Sequence, residues 1–159
     1  MVQYRLTMIA VKRIYKYSEN LAVELGKLLT SLSEKMTGNP VHKESVERIL
    51  ASNCHELFVA YDGDNIVGAS VLSLVMGIDE NFKNGPNAYL ESFVVDSNCQ
   101  GKGVGQKIWN EMLTWCKEKG VNKLEFTSNA KRHSAHEFYR KNGATIYDTC
   151  FFQLSFSNK

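Results

Sequence analysis

Val94-Val95-Asp96-Ser97-Asn98-Cys99-Gln100-Gly101-Lys102-Gly103-Val104-Gly105 is the densest chemical signal in the sequence. A β-branched run delivers the chain into a polar turn and closely spaced glycines, and a helical pattern follows. Such a turn binds anions, because the first N–H groups of a helix lack intrahelical acceptors and the helix dipole places partial positive charge there. Missing Cβ atoms let a phosphate approach the backbone, and Lys102 adds a formal charge. The bland alternative is a tight strand-to-helix connection whose glycines serve packing alone. Two familiar phosphate loops fail on inspection. A Walker A loop needs Gly-Lys-Ser/Thr where the chain has Gly105-Gln106-Lys107-Ile108. A dinucleotide G-x-G-x-x-G starting at Gly101 or Gly103 would need glycine at Gln106 or Ile108; Glu125 does fall about 20 residues on, but the third glycine is missing. What remains is Gln/Arg-x-x-Gly-x-Gly/Ala, met by Gln100, Gly103 and Gly105.

Working outward, Val104, Ile108, Met112 and Cys116 recur every four residues, with Trp109 and Leu113 beside them, and predict a helix over residues 103–119. Before the turn, residues 89–95 read as a strand, preceded by a loop over 77–87. Residues 57–61 and 66–75, joined by the polar turn 62–65, read as an antiparallel hairpin. Residues 6–14 read as a first strand. Ser18 is a candidate N-cap for a helix whose core stripe is Leu21, Leu25, Leu28, Leu29 and Leu32. Asn39 followed by Pro40 predicts a second helix start, with Val46, Ile49 and Leu50 as its apolar side. Beyond 119, residues 121–127 read as a strand, Ser134 with Glu137 as a capping box for a short helix closed by Gly143, and residues 145–156 as a last strand. The order β-α-α-β-β-β-α-β-α-β gives a mixed sheet in which the helix after the glycines crosses to a parallel neighbour.

Composition narrows the function classes. With 159 residues, 43% hydrophobic, 23% charged and two prolines, the chain falls in the globular class, and one domain over 1–159 is expected. Nineteen basic against 17 acidic side chains leave a net charge of +2, too balanced for general nucleic-acid binding. Arg5, Lys12 and Arg13 interrupt the start, so no block of secretory length is seen, and no run approaches the roughly 20 apolar residues of a membrane span. Cys54, Cys99, Cys116 and Cys150 lie far apart without a Cys-x-x-Cys pair, which suggests reduced thiols and a cytoplasmic location.

The turn resembles the coenzyme A pyrophosphate loop of the GNAT superfamily of N-acetyltransferases, and the resemblance covers essentially the whole chain. Glu91-Ser92-Phe93-Val94-Val95 is similar to the family's fourth strand, and Phe138-Tyr139-Arg140-Lys141-Asn142-Gly143-Ala144 to its later Tyr-x-x-x-Gly-Phe segment. Two positions depart from the pattern: Arg132 stands where the family has Asn, and Ala144 where Phe is expected. They bear on substrate and subgroup more than on membership. The resemblance implies an α/β (α+β) fold with a mixed, mostly antiparallel sheet of about six or seven strands and helices on both faces. It implies acetyl-CoA as acyl donor, an amine as acceptor and, in many members, a homodimer. Coenzyme contacts are implied at Phe93, Val94, Val95, Gln100, Gly101, Lys102, Gly103, Val104 and Gly105, and at Asn129, His136 and Tyr139. The pantetheine arm would pair with the strand as an added strand does, and Val94 or Val95 would offer an N–H to the oxyanion.

Acetyl transfer needs a neutral amine and a proton for the departing thiolate. Alternation puts Tyr89, Glu91, Phe93 and Val95 on one face, so Glu91 is expected among large apolar neighbours, where burial would raise its pKa toward that of a useful base. The alternative is a solvent-facing carboxylate or a structural ion pair. Tyr139 matches the family tyrosine implied to protonate the thiolate; the alternative is an aromatic that merely packs. Arg132 to Tyr139 is similar to the corresponding stretch of aminoalkylphosphonate N-acetyltransferases, so Arg132 and His133 are implied to meet an anionic amine, Arg forking onto its oxygens. The loop 77–87 is implied to border the acceptor, though Asp79, Glu80 and Lys83 do not select one. His133 and His136 stand at i and i+3 but lack a third ligand at metal spacing, so no metal is expected. Cys99, beside the anion turn, could have a lowered pKa, yet the chemistry needs no covalent intermediate. Two other functions stay open: a catalytically silent acyl-CoA-binding module, and an acetyltransferase acting on a protein lysine or N-terminus.

Overall fold

The computed structural model describes residues 8–33 and 35–156. The chain forms two compact units, Met1–Phe126 and Thr127–Lys159. In the first, the elements are β1 (Ile9–Arg13), α1 (Glu19–Leu29), α2 (Lys43–Ala51), β2 (His55–Asp62), β3 (Asn65–Val75), β4 (Asn87–Val95), α3 (Val104–Glu118) and β5 (Leu124–Glu125). The second contains α4 (His133–Lys141). The sheet runs in the order β1-β2-β3-β4-β5, antiparallel except for the β4–β5 pair.

Local chemistry explains most boundaries. The Ser18 hydroxyl caps α1 by accepting from the Leu21 N–H at 3.1 Å. Gly63, at φ +58°, sits between the paired ends Asp62 and Asn65 and supplies the positive φ that a tight hairpin turn needs. Adjacent residues of β2 serve opposite faces of the sheet. Phe58 meets Trp115 of α3 edge-on at 6.3 Å, whereas Leu57 and Val59 join Leu21, Leu25 and Leu28 of α1 and Val46 of α2 in one buried cluster. Helices therefore cover both faces, as expected.

Several boundaries differ from the sequence reading. The strand expected from residue 6 begins at Ile9, residues 6 and 7 lying outside the described residues. α2 begins at Lys43 rather than Pro40, because residues 39–41 are held against α1. The Val41 N–H donates to Ala22 O at 3.0 Å, and the Asn39 carbonyl lies where a Cβ on Gly26 would be, 2.0 Å away. β5 has two residues, not seven, because residues 121 and 122 are used elsewhere: the Val121 N–H donates to Cys116 O, and Asn122 bonds the loop ahead of β4 through Pro86 O, Asn81 O and Gly85 O. The expected capping box does not form either. α4 starts one residue before Ser134, after a turn in which Asn129 Oδ1 accepts from the Lys131 N–H and Asn129 O from the Arg132 N–H. Its other end matches the expectation: Gly143, at φ +87°, donates to Arg140 O while Ala144 donates to Tyr139 O, a Schellman closure.

The last expected strand is absent. Residues 145–156 enter no ladder among the described residues, and Ile146, Tyr147, Phe151, Phe152, Leu154 and Phe156 stay exposed. Alternating apolar residues make a strand only where a neighbouring edge accepts their N–H and C=O groups. Among the described residues the sheet thus has five strands rather than about six or seven.

Candidate functional site

β4 is asymmetric. On one side it pairs with β3 along its length, from Val75↔Asn87 to Gly68↔Val95. On the other it pairs with β5 only at Ala88↔Leu124 and Tyr89↔Glu125, so among the described residues no ladder covers that edge beyond Tyr89. Backbone alternation tells which groups face outward. The Asp96 N–H donates to Val67 O at 3.0 Å, toward β3, so the Val94 N–H also points that way, and those of Phe93 and Val95 point to the open edge. Val94 is a core residue in the α1 cluster, whereas Phe93 packs edge-on against Trp109 of α3 at 6.2 Å.

The open edge leads straight into the glycine turn. Asp96 folds the chain over, its carboxylate accepting from the Asn98 N–H at 2.8 Å and its carbonyl from the Cys99 N–H. Gln100 Nε2 reaches back to Val95 O at 3.3 Å, tying the turn to the strand end. Gly101 and Gly103 hold φ of +73° and +84°, and α3 starts at Val104, which is buried with Ile108. A glycine required by packing has atoms where its Cβ would be, as at Gly68, where Ile108 Cδ1 is 2.7 Å away. At Gly101 and Gly103 nothing lies within 4 Å. The packing explanation therefore fails for these two, and what they create is a turn whose backbone a ligand can approach. Lys102 is exposed beside them. An anion at the turn with a chain running along β4 fits this shape. Cys99 is not activated, because burial and the nearby Asp96 raise its thiol pKa despite Lys102.

Glu91 departs from its expectation. It is exposed, not buried, because β4 bulges: Val71 faces Ser92 and Leu72 faces Leu90, which leaves Glu91 as an extra residue. The bulge also breaks the expected single face. Phe93 lies opposite Ser70, which bonds Met112 of α3, while Tyr89 lies opposite Ser73 on the other face. Glu91 is on Ser73's side, accepting from its hydroxyl at 2.7 Å. Glu125, paired with Tyr89, shares that face and accepts from Asn87 Nδ2 at 3.2 Å. The Ser73–Glu91 and Asn87–Glu125 bonds do not follow from the sequence; they depend on the register of β4 with its neighbours, which a bulge without a composition signal helps to set.

In the second unit, Asn129 and Arg132 form the entrance to α4, His133 is exposed and His136 half-buried. Tyr139 is 7% exposed, and burial pushes its hydroxyl pKa above the usual value near 10, opposed by the positive charge of Arg132. Its phenol stays protonated at neutral pH, as a proton donor must. Among the described residues no group of three or more His, Cys, Asp or Glu could hold a metal, and no helix is long and apolar enough to cross a membrane.

Comparison with known proteins adds to this geometry. The model of the acetyltransferase (GNAT) family matches residues 27–144. No curated protein matches the sequence. Among solved structures, an aminoglycoside acetyltransferase from an uncultured soil metagenomic sample, in complex with trehalose, superposes with a TM-score of 0.80 at 21% identity, over 94% of this chain and 97% of that one. AAC(6')-Iy in complex with the bisubstrate analogue CoA-S-monomethyl-acetylneamine gives 0.76 at 15% identity, over 95% and 100%. A putative acetyltransferase from Agrobacterium tumefaciens gives 0.78 at 17% identity, over 92% and 99%.

Proposed function

The chain belongs to the GNAT acetyltransferase family, and from that premise we propose that it moves an acetyl group from acetyl-CoA to a primary amine of a small molecule. The observation that carries this reading is the edge of β4, which no ladder covers beyond Tyr89 among the described residues, running into an open glycine turn. The diphosphate of coenzyme A would sit against the amides of 101–105, and the pantetheine arm would pair with the outward groups of Phe93 and Val95. The Val95 N–H would then serve the oxyanion, a choice between Val94 and Val95 that follows from the alternation above. Glu91 takes the proton from the amine as its nitrogen attacks the thioester carbon. The C–S bond breaks, and Tyr139 gives its phenolic proton to the leaving sulfur. An exposed Glu91 suits an acceptor arriving from solvent.

A small-molecule acceptor is favoured by the solved relatives, two of which are aminoglycoside acetyltransferases by description. Arg132, close enough to influence Tyr139, keeps an anionic amine as the second reading. We further propose that residues 1–159 work as one acetyltransferase domain in the cytoplasm. We also propose a homodimer, since six large apolar side chains in 145–156 are exposed in the single chain; light scattering at the monomer mass would refute it. The decisive assay follows thiol release from acetyl-CoA with aminoglycosides, aminoalkylphosphonates, polyamines and lysine peptides. Turnover with a small amine that collapses in Tyr139→Phe supports the proposal. Turnover with peptides alone shows a protein acetyltransferase, and binding without turnover a silent module.

A further inference from the structure

We propose that Ser73 is a positioning residue for Glu91, holding one carboxylate oxygen so that the other faces the acceptor amine; this rests on the base role proposed for Glu91. Ser73 is 7% exposed in the interior of β3, and a buried hydroxyl must find a partner. Its two cross-strand neighbours are Tyr89 of β4 and His55 of β2, whose Nδ1 is engaged with Ser52 Oγ at 2.7 Å. The partner it takes is Glu91, the extra residue of the β4 bulge: Ser73 Oγ donates to Glu91 Oε1 at 2.7 Å. That length suits a charge-assisted bond from a hydroxyl to a carboxylate.

The arrangement joins a rigid donor to a mobile acceptor. Ser73 has one side-chain torsion and is packed, whereas an exposed glutamate has three and samples many orientations in water. Fixing Oε1 leaves Oε2 as the oxygen free to take a proton and restricts where it points. Proton transfer needs such placement, because the base must lie within hydrogen-bond reach of the proton it removes. Ser73 touches no reacting atom in this account; it acts through Glu91.

The test is a double-mutant cycle on the full chain, with kcat and the KM for acetyl-CoA measured on the best amine found. Ser73→Ala is expected to lower kcat roughly 10- to 150-fold, the range a single lost charge-assisted bond supports, with the KM for acetyl-CoA unchanged. In a Glu91→Gln background the same substitution is expected to change kcat less than about twofold. Should Ser73→Ala fold poorly, Ser73→Thr and Ser73→Val decide the matter: they share a shape, and only the threonine keeps the hydroxyl and with it the activity. Native kcat in Ser73→Ala or Ser73→Val, alongside a crippled Glu91→Gln, overturns the positioning role and leaves the base intact. An equal loss from Ser73→Ala in both backgrounds also overturns it, because a merely structural serine acts regardless of Glu91. Near-native activity in Glu91→Gln removes the base assignment itself, and the Ser73 role with it.

Discussion

Replacing Gly103 separates what the turn does for folding from what it does for binding. Its φ of +84° lies in the left-handed region, where an L-residue pays about 1–2 kcal/mol, so Gly103→Ala is expected to destabilise the protein by that amount. For a chain of this size each kcal/mol lowers Tm by about 2–4 °C. No steric cost adds to it, since a Cβ there meets nothing within 4 Å. Gly103→Asn should cost less still, because Asn tolerates left-handed φ better than Ala does. Binding behaves differently. On the proposed mode of binding either side chain would project into the space where the diphosphate approaches the amides, and losing one charge-assisted N–H to phosphate bond costs about 1.5–3 kcal/mol, a rise in Kd of roughly 10- to 150-fold. The assay pairs thermal melts with calorimetric titration of acetyl-CoA into the native protein and both variants. A marked loss of affinity in Gly103→Asn with near-native Tm is the expected signature. Reduced Tm with unchanged affinity would refute the reasoning and return the glycine to a role in turn geometry alone.

Further perturbations probe other parts of the account. Gly26→Ala should destabilise by about 1–3 kcal/mol, because its Cβ would meet the Asn39 carbonyl oxygen at 2.0 Å and that backbone must shift; an unchanged urea midpoint would contradict the packing of residues 39–41 on α1. Tyr139→Phe should lower kcat by about 10²–10⁴ without weakening acetyl-CoA binding, read by steady-state kinetics beside calorimetry. The same residue sets an alkaline limit. Its phenol pKa is raised by burial, so its contribution to stability is complete below pH about 10 and is lost as the pH climbs past that value, where the unfolded phenol ionises first. Tyr61, also raised by burial, contributes in the same direction, so urea melts across this range should show a steeper fall in the native protein than in Tyr139→Phe. Burial pushes the Cys116 thiol up to about 11, whereas Cys54 and Cys150 are exposed. Iodoacetamide at pH 8 should alkylate Cys54 and Cys150 well before Cys116, and equal rates would contradict the packing of α3.

What the sequence made legible is what local chemistry determines. The Ser18 cap, the Gly63 hairpin, the four-residue stripe of α3 and the Gly143 closure each depend on residues within a few positions, and each forms as read. The glycine turn was legible for the same reason. Apart from the Ser134–Glu137 capping box, the misses are tertiary. Pro40 carries a helix-start signal, yet residues 39–41 pack on Gly26 instead. Residues 145–156 alternate as a strand does but pair with no edge among the described residues. Glu91 was placed by strict alternation, and one inserted residue in β4 was enough to move it into solvent, part it from the face of Phe93 and give it Ser73 as a partner. A bulge has no sequence signature strong enough to read without its partner strand.

Amide hydrogen exchange, resolved to single residues with and without saturating coenzyme A, tests the central claim most directly. Binding of the diphosphate at the turn and of the pantetheine arm along β4 predicts slowed exchange at Gly101 to Gly105 and at the outward amides of Phe93 and Val95, with Val94, already directed at β3, little changed. Saturated binding that leaves those amides exchanging at their free rates would contradict it.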